Sequence, residues 1–189
     1  LIKYLIRENH WSPFEMVSAT LEITTTRDIS RQIIRHRSFS FQEFSQRYAI
    51  SEEFDLREAR LQDPKNRQNS IPLDIPEATG GQGSDSTSDE RLYENWNMKQ
   101  REVINKAEEV YRWALSNGIA KEQARAVLPE GNTKTTLYMA GTLRSWIHYC
   151  DLRRANGTQR EHMRVADQCW SVLSYHFPNV CQVVDEMKS

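Results

Sequence analysis

At 189 residues and 22.2 kDa the chain is long enough for one domain with a real core, and its net charge of −1 excludes the one-signed surface that general binding to DNA, RNA or anionic lipid requires. No run approaches the ~18 apolar residues of a membrane span and no secretory leader precedes the first element, so the sequence reads as a soluble, cytoplasmic protein. Cys150, Cys169 and Cys181 are odd in number and lack CxxC spacing, which points to reduced, packed thiols and not to zinc or a disulfide framework.

The chain begins with Leu1 inside a helical pattern over 1–8, so native sequence is expected to precede it, and Asn9 is a natural stop. His10-Trp11-Ser12-Pro13-Phe14-Glu15 reads as a loop. Over 17–24, Val17, Ala19, Leu21 and Ile23 alternate with Ser18, Thr20, Glu22 and Thr24, the pattern of a half-buried strand. Thr25-Thr26 can cap a helix over 28–37 with Ile29, Ile33 and Ile34 inward, leaving Gln32, Arg35 and His36 facing elsewhere.

The helix runs into Arg35-His36-Arg37-Ser38-Phe39-Ser40-Phe41-Gln42-Glu43-Phe44-Ser45-Gln46-Arg47-Tyr48, the densest stretch of chemistry in the chain. Between Arg27 and Arg47, five arginines and His36 face Asp28 and Glu43, a local balance near +3 that suits a small anion better than a polymer. The same residues also fit a solvated helix end, where cations complement the dipole.

Residues 51–61 read as a short charged helix with a weak apolar stripe of Phe54, Leu56 and Leu61. Residues 63–89 hold three of the six prolines, three of the seven glycines and no aromatic residue, so they read as a flexible connection or a lid. A long helix then opens at Ser86-Thr87-Ser88-Asp89, with Leu92, Trp96, Val103, Ala107, Val110 and Ala114 as its stripe, and closes at Asn117-Gly118. A shorter helix over 120–128 ends at Pro129 and displays Arg125. A second strand covers 133–140, and Thr142 caps a helix through Leu152 that carries Trp146, Tyr149 and Cys150 and delivers Arg153-Arg154 to its end. Those two arginines are either dipole complements or a second anion contact. Thr158-Gln159-Arg160-Glu161 has capping-box spacing ahead of a last helix, whose stripe is Met163, Ala166, Trp170, Leu173 and Phe177 before Pro178.

The sequence contains no Gly-rich phosphate loop, dinucleotide fingerprint, HExxH or GxSxG. Ser45 lies nine residues from His36, and no third group is evident to orient the histidine, which argues against a serine nucleophile. What remains are arginines, glutamines and aromatics that can hold phosphates and flat rings while a bound cofactor carries the chemistry. A competing reading is a non-catalytic nucleotide- or RNA-binding module in which the basic patch over 27–47 uses Phe39, Phe41 and Phe44 as stacking surfaces.

Arg35-His36-Arg37 followed after seven residues by Ser45 resembles the signature of the flavin-dependent thymidylate synthases. Arg31-Gln32, Glu43 and Arg47-Tyr48 extend the resemblance locally. His10-x-Ser12-Pro13-Phe14-Glu15 upstream, and Ala124-Arg125-x-x-Leu128-Pro129, Arg144-Ser145 and Leu152-Arg153 downstream, carry it in order across most of the chain. Thr142 and His148 stand where the family often has asparagine.

The resemblance implies reductive methylation of dUMP to dTMP, with methylenetetrahydrofolate as carbon donor and NADPH as reductant through FAD. It implies an α/β fold of the α+β type, with mixed helices packed on a small, mostly antiparallel sheet in a single domain over 1–189. It also implies a homotetramer with active sites where subunits meet, in the cytoplasm or, for a viral protein, the host-cell cytoplasm. Carried over by position, Ser12, Arg35, His36, Arg37, Glu43, Thr142, Leu143, Arg144 and His148 would contact FAD. Gln32, Arg35, Glu43, Phe44, Ser45, Gln46, Arg47, Arg125 and Arg153 would hold dUMP, with Arg153 polarising the uracil. No metal is implied.

Overall fold

A computed structural model of the chain describes residues 1–48, 50, 52–75 and 88–187, and the Ser86-Thr87 cap and part of the expected 63–89 connection lie outside these. The chain forms two compact units, one comprising Leu1–Thr25, Ile29–Glu43 and Thr136–Ser189, the other Thr26–Asp28 and Phe44–Thr135. No helix among the described residues is long and apolar enough to cross a membrane.

The first unit is built on a three-stranded sheet of order β1-β5-β2, from β1 (Ser18–Thr26), β2 (Ser40–Glu43) and β5 (Lys134–Thr142). β2 runs antiparallel to β5, with Ser40 opposite Ala140 and Glu43 opposite Leu137. The expected alternation holds from Ser18 onward, since Ile23 is buried and Ala19 and Leu21 partly so while Thr20, Glu22 and Thr24 are exposed, but Val17, expected inward, precedes the strand and is exposed. On the exposed face the Tyr138 hydroxyl donates to Glu22 across 2.6 Å, and this acceptor raises the phenol pKa.

Helices α1 (Ile2–Arg7), α2 (Arg27–Ile33), α5 (Leu143–Arg153), α6 (Arg160–His176) and α7 (Pro178–Glu186) accompany this sheet. Their inward residues, with those of β5, make one core in which Ile29, Ile33, Leu137, Met139, Trp146, Tyr149 and Leu173 are all but inaccessible. Each such side chain contributes roughly 1.5–3 kcal/mol relative to exposure. Trp146 also donates its indole N–H to the Ala19 carbonyl at 3.1 Å, so its burial strands no donor.

Several expected elements change. The helix through the motif ends at Ile33 and not at Arg37. After it the N–H groups of Arg35 and His36 turn tightly onto the carbonyls of Gln32 and Ile33, so Arg35-His36-Arg37 lies beyond the helix and Gln32 and Arg35 do not share a helical face. The segment after it is strand β2, unforeseen because only four residues pair. Residues 12–15 form a 3-10 turn. The capping box does not form: Gln159 occupies the N-cap of α6 with no side-chain cap bond, and its carboxamide donates to Glu161 instead. Helix α7 was not anticipated.

In the second unit, 52–61 is extended and not helical. Asp55 donates its N–H to Asn132, Lys134 donates to Glu53, and Phe54 bridges Thr133, so pairing prevails over a weak helical stripe. Part of the expected flexible segment is a hairpin of β3 (Arg60–Gln62) and β4 (Ser70–Pro72). Asp63 closes it by accepting the N–H groups of Lys65 and Asn66, and these bonds lower its pKa. Helix α3 (Ser88–Ser116) buries Gln100, Ile104, Ala107, Tyr111 and Ala114, so the inward face is turned from the expected one and Val103 is exposed. Gly118, at φ 77°, ends it as expected. Helix α4 (Lys121–Ala124) passes into a 3-10 turn at Arg125–Val127. Arg57 ties this unit together by donating to Thr26, Asp28 and the Gly131 carbonyl.

In the first unit, Gly141 is the position where a side chain has no room. A Cβ there would lie 2.4 and 2.6 Å from carbons of the Phe39 ring, which is held edge-on by Trp146 and Tyr149 at 4.9 and 5.9 Å. Gly141→Ala is expected to destabilise the fold by about 1–3 kcal/mol through overpacking. A urea-unfolding midpoint equal to wild type would show that Phe39 can move aside.

Candidate active site

Helix α5 begins where β5 ends, with Thr142 as N-cap accepting the Ser145 N–H at 3.3 Å. Tyr149 and Arg153 are four residues apart and share a face. Arg153 Nε donates to His36 Nε2 at 2.8 Å, so that ring nitrogen is bare and the imidazole proton sits on Nδ1. The His36 ring also meets Tyr149 edge-on at 4.9 Å. Burial first, and the Arg153 charge second, hold the His36 pKa below its usual 6.5. The two outer guanidinium nitrogens of Arg153 have no partner among the described residues.

Behind this pair lies a second polar group. His162, fully buried on α6, contacts the Tyr149 hydroxyl through Nε2 at 3.1 Å and the Gln32 carboxamide oxygen through Nδ1 at a longer 3.4 Å. Gln32 Nε2 donates to Gln159 Oε1 at 2.7 Å, and Gln159 Nε2 donates to Glu161 Oε2 at 3.0 Å. Burial, then the Arg153 charge, then His36, lower the His162 pKa to about 4, and burial raises that of Tyr149. Tyr149, Gln159, Glu161 and His162 were not singled out as site residues. Their signal was faint: Tyr149 shares the inward face of α5 with Trp146, and His162 stands four residues before buried Ala166.

Arg35 and Arg37 are exposed and have no side-chain partner among the described residues. Arg37 lines a cavity of about 420 Å³ with Phe39, Ser40, Gly141 and Thr142. Other expected residues are committed within the unit. Glu43 pairs with Arg31 at 3.3 Å, and Arg144 pairs with Glu15. His148 lies against Trp11 with ring centres 5.0 Å apart, and Ser12 is exposed at the start of its 3-10 turn. Leu143 is buried and donates its N–H to the Val17 carbonyl at 2.7 Å.

Phe44, Ser45, Gln46, Arg47 and Arg125 belong to the second unit. There Arg47 pairs with Glu122 at 3.1 Å and Lys121 donates to the Tyr48 carbonyl at 2.9 Å, which brings the 44–48 segment beside the α4 helix that leads into Arg125. Ser45 Oγ accepts the Arg47 N–H at 3.3 Å, Gln46 is buried and Phe44 is exposed. Arg125 is half-buried with no side-chain partner among the described residues. Phe39 and Phe41 pack on the first unit's core, so the three phenylalanines do not form the stacking surface of the nucleic-acid reading.

The two depressed histidines give a signed pH dependence. The unfolded chain protonates His162 near 6.5 and the folded chain only near 4, so stability is complete above the first value and falls as pH drops between the two. His36 acts in the same direction. His162→Gln is expected to lose less of its urea midpoint than wild type between pH 7 and pH 4.5. Equal losses would mean that His162 already carries a proton in the fold.

Comparison with known proteins identifies the family. Residues 1–179 match the family model described as thymidylate synthase complementing protein. The chain is 48% identical over 186 residues to the flavin-dependent thymidylate synthase of Synechocystis sp., and 46% identical over 186 residues to the probable flavin-dependent thymidylate synthase of Paramecium bursaria Chlorella virus 1. Each match covers 98% of this chain and 79% of the relative. Among solved structures it is similar to the UMP/dUMP methylase PolB of Streptomyces cacaoi bound with 5-Br dUMP, with a TM-score of 0.79 at 28% identity over 98% of this chain and 79% of that one. With its signature arginines at a sheet edge and helix end, and with relatives matched over nearly its whole length, the chain belongs to the flavin-dependent thymidylate synthase family.

Proposed function

We propose that the protein makes dTMP from dUMP by reductive methylation of the uracil ring, using methylenetetrahydrofolate as carbon donor, NADPH as reductant and FAD as bound cofactor. The observation that carries this reading is the state of Arg153. Its guanidinium is half-buried and is fixed through Nε by a neutral acceptor, yet its outer nitrogens have no partner among the described residues. A partly desolvated cation in that condition is costly until an electron-rich oxygen reaches it. The carbonyl edge of an ionising uracil would offset that cost most strongly where negative charge develops on the ring.

The donor set also fits a flavin dinucleotide. Arg37 and Thr142 line one cavity, Arg35 is exposed with no side-chain partner among the described residues, and aromatic surface lies beside His148. We assign FAD to Ser12, Arg35, His36, Arg37, Glu43, Thr142, Leu143, Arg144 and His148, and when bound it supplies the two-electron chemistry that side chains lack. Glu43 and Arg144 would meet it as members of ion pairs with Arg31 and Glu15. We assign dUMP to Gln32, Arg35, Glu43, Phe44, Ser45, Gln46, Arg47, Arg125 and Arg153, with Ser45 and Arg47 near its phosphate. Cys169 is no candidate nucleophile, because burial pushes its thiol pKa up to about 12.

Residues 1–189 are taken as one domain of a cytoplasmic homotetramer with active sites where subunits meet. Exposed Trp96, Val103 and Trp113 on α3 supply apolar surface that a neighbouring subunit would cover. Light scattering after gel filtration reads the subunit number directly.

The reading predicts yellow protein that retains FAD and forms dTMP from dUMP, methylenetetrahydrofolate and NADPH. Colourless protein that takes up no FAD and forms no dTMP would reject it. Arg153→Ala is expected to lower turnover about 100-fold or more while FAD stays bound, since the lost donor acts on charge developing in the substrate. Unchanged turnover would remove Arg153 from the catalytic role. Arg35→Ala should weaken FAD and dUMP together, and titrations in which one ligand alone is affected would confine Arg35 to that ligand's site.

A further inference from the structure

The direction of the hydrogen bonds between Glu161 and Tyr149 follows from chemistry, whichever way each amide is drawn. A carboxylate only accepts, so Gln159 must turn its NH2 toward Glu161, 3.0 Å away. Its oxygen then faces Gln32 and takes the Gln32 N–H at 2.7 Å. That fixes the Gln32 oxygen toward His162, and His162 must carry its proton on Nδ1 to donate to it. Nε2 is therefore bare and accepts the Tyr149 hydroxyl at 3.1 Å. Reversing any member would bring two donors or two acceptors face to face. The depressed basicity of His162 agrees with a neutral ring there.

We infer that Glu161, acting through Gln159, sets the polarity of a buried relay that ends on His162 and Tyr149 and holds the Gln32 carboxamide in one orientation for dUMP. Gln32 has no other side-chain partner among the described residues, so one N–H and one oxygen lone pair stay available. Those are the two functions that pair with the amide edge of a pyrimidine, a ring N–H beside a carbonyl. Gln159, Glu161 and His162 are thus positioning residues, which act on the substrate only through Gln32. The inference rests on the assignment of Gln32 to dUMP. The titratable and charged groups facing His162 are Tyr149 and Arg153 from α5 and His36 from the turn after α2, while Glu161 on its own helix meets Gln159.

Two measurements separate the relay from the functional reading. In protein labelled with 15N-histidine and without nucleotide, His162 is expected to show a protonated Nδ1 and a bare Nε2 at pH 7, its signals identified by their loss in His162→Gln. Glu161→Gln keeps the shape and the hydrogen-bonding capacity but removes the fixed polarity, so it should shift His162 toward a mixture of tautomers. An Nε2-protonated or doubly protonated ring in wild type, or no change in Glu161→Gln, overturns the relay whatever the protein binds.

The second measurement is dUMP binding to the FAD-loaded protein. His162→Phe, which can neither donate nor accept, should weaken dUMP about tenfold, the effect of one lost hydrogen bond. His162→Gln, which can do both, should return to within about threefold of wild type. If both variants are folded and equally impaired, His162 fills space and does not orient Gln32, and the inference fails. If wild type itself binds no dUMP, the functional reading fails and takes the role of Gln32 with it, while the tautomer measurement still reports whether the relay exists.

Discussion

A guanidinium can approach an imidazole nitrogen to 2.8 Å only where that nitrogen carries no proton, and this constraint at Arg153 and His36 governs the first unit's polar interior. A carboxylate in the place of His36 would have closed the Arg153 charge in an ion pair. A neutral ring instead fixes the direction of the side chain and leaves its charge unspent. The contrast lies within the same unit, where Arg31 meets Glu43 and Arg144 meets Glu15. Pairing thus sorts the arginines into those whose charge the fold already answers and those, Arg35, Arg37 and Arg153 among them, whose charge no described residue answers.

The backbone produces this contact through two endings. Helix α2 stops at Ile33 because Ile29 and Ile33 are fully buried while the following N–H groups turn back onto Gln32 and Ile33, which lets the chain leave with the His36 ring turned inward. Helix α5 starts at the end of β5 and spans eleven residues, about 16 Å, so that Arg153 arrives at its far end. Phe39 packs over Gly141 and against Trp146 and Tyr149, locking the start of β2 to the end of β5 beside both endings. The same ring defines one wall of the cavity that Arg37 and Thr142 share.

Long elements with a strict period were legible in the sequence: β1, α3, β5, α5 and α6 all occur within a few residues of their expected limits. Failures came where a tertiary partner outbid a local pattern. Residues 52–61 carry a helical stripe, but their N–H and C=O groups meet those of residues 132–134, and no reading of the segment alone contains that partner. The capping box at Thr158 has the right spacing, yet Glu161 accepts from Gln159, because Gln159 is itself held by Gln32 from another element. The site divided along the same line. The motif supplied Arg35, His36 and Arg153 as candidates, whereas Tyr149 and His162 were not singled out, since an aromatic or a histidine on the inward face of a helix looks like any other core position until its neighbours are known.

Tyr149 and His162 also bear on the surroundings of half-buried Arg153. A cation sunk among ionisable neighbours usually loses its net effect, either to a counter-ion or to a second cation that shares and repels. Here the neighbours are two imidazoles and a phenol, and each stays neutral near pH 7: burial, reinforced by Arg153 itself, keeps protons off His36 and His162, and burial keeps the proton on Tyr149. The guanidinium thereby opposes protonation of both imidazoles. The links of His162, Gln32 and Gln159 that lead from Tyr149 to Glu161 carry no charge of their own. A ligand oxygen reaching Arg153 would meet a field that neither shifts with modest changes in pH nor needs to reorganise as charge builds, and that is the condition under which a fixed cation stabilises a developing anion most.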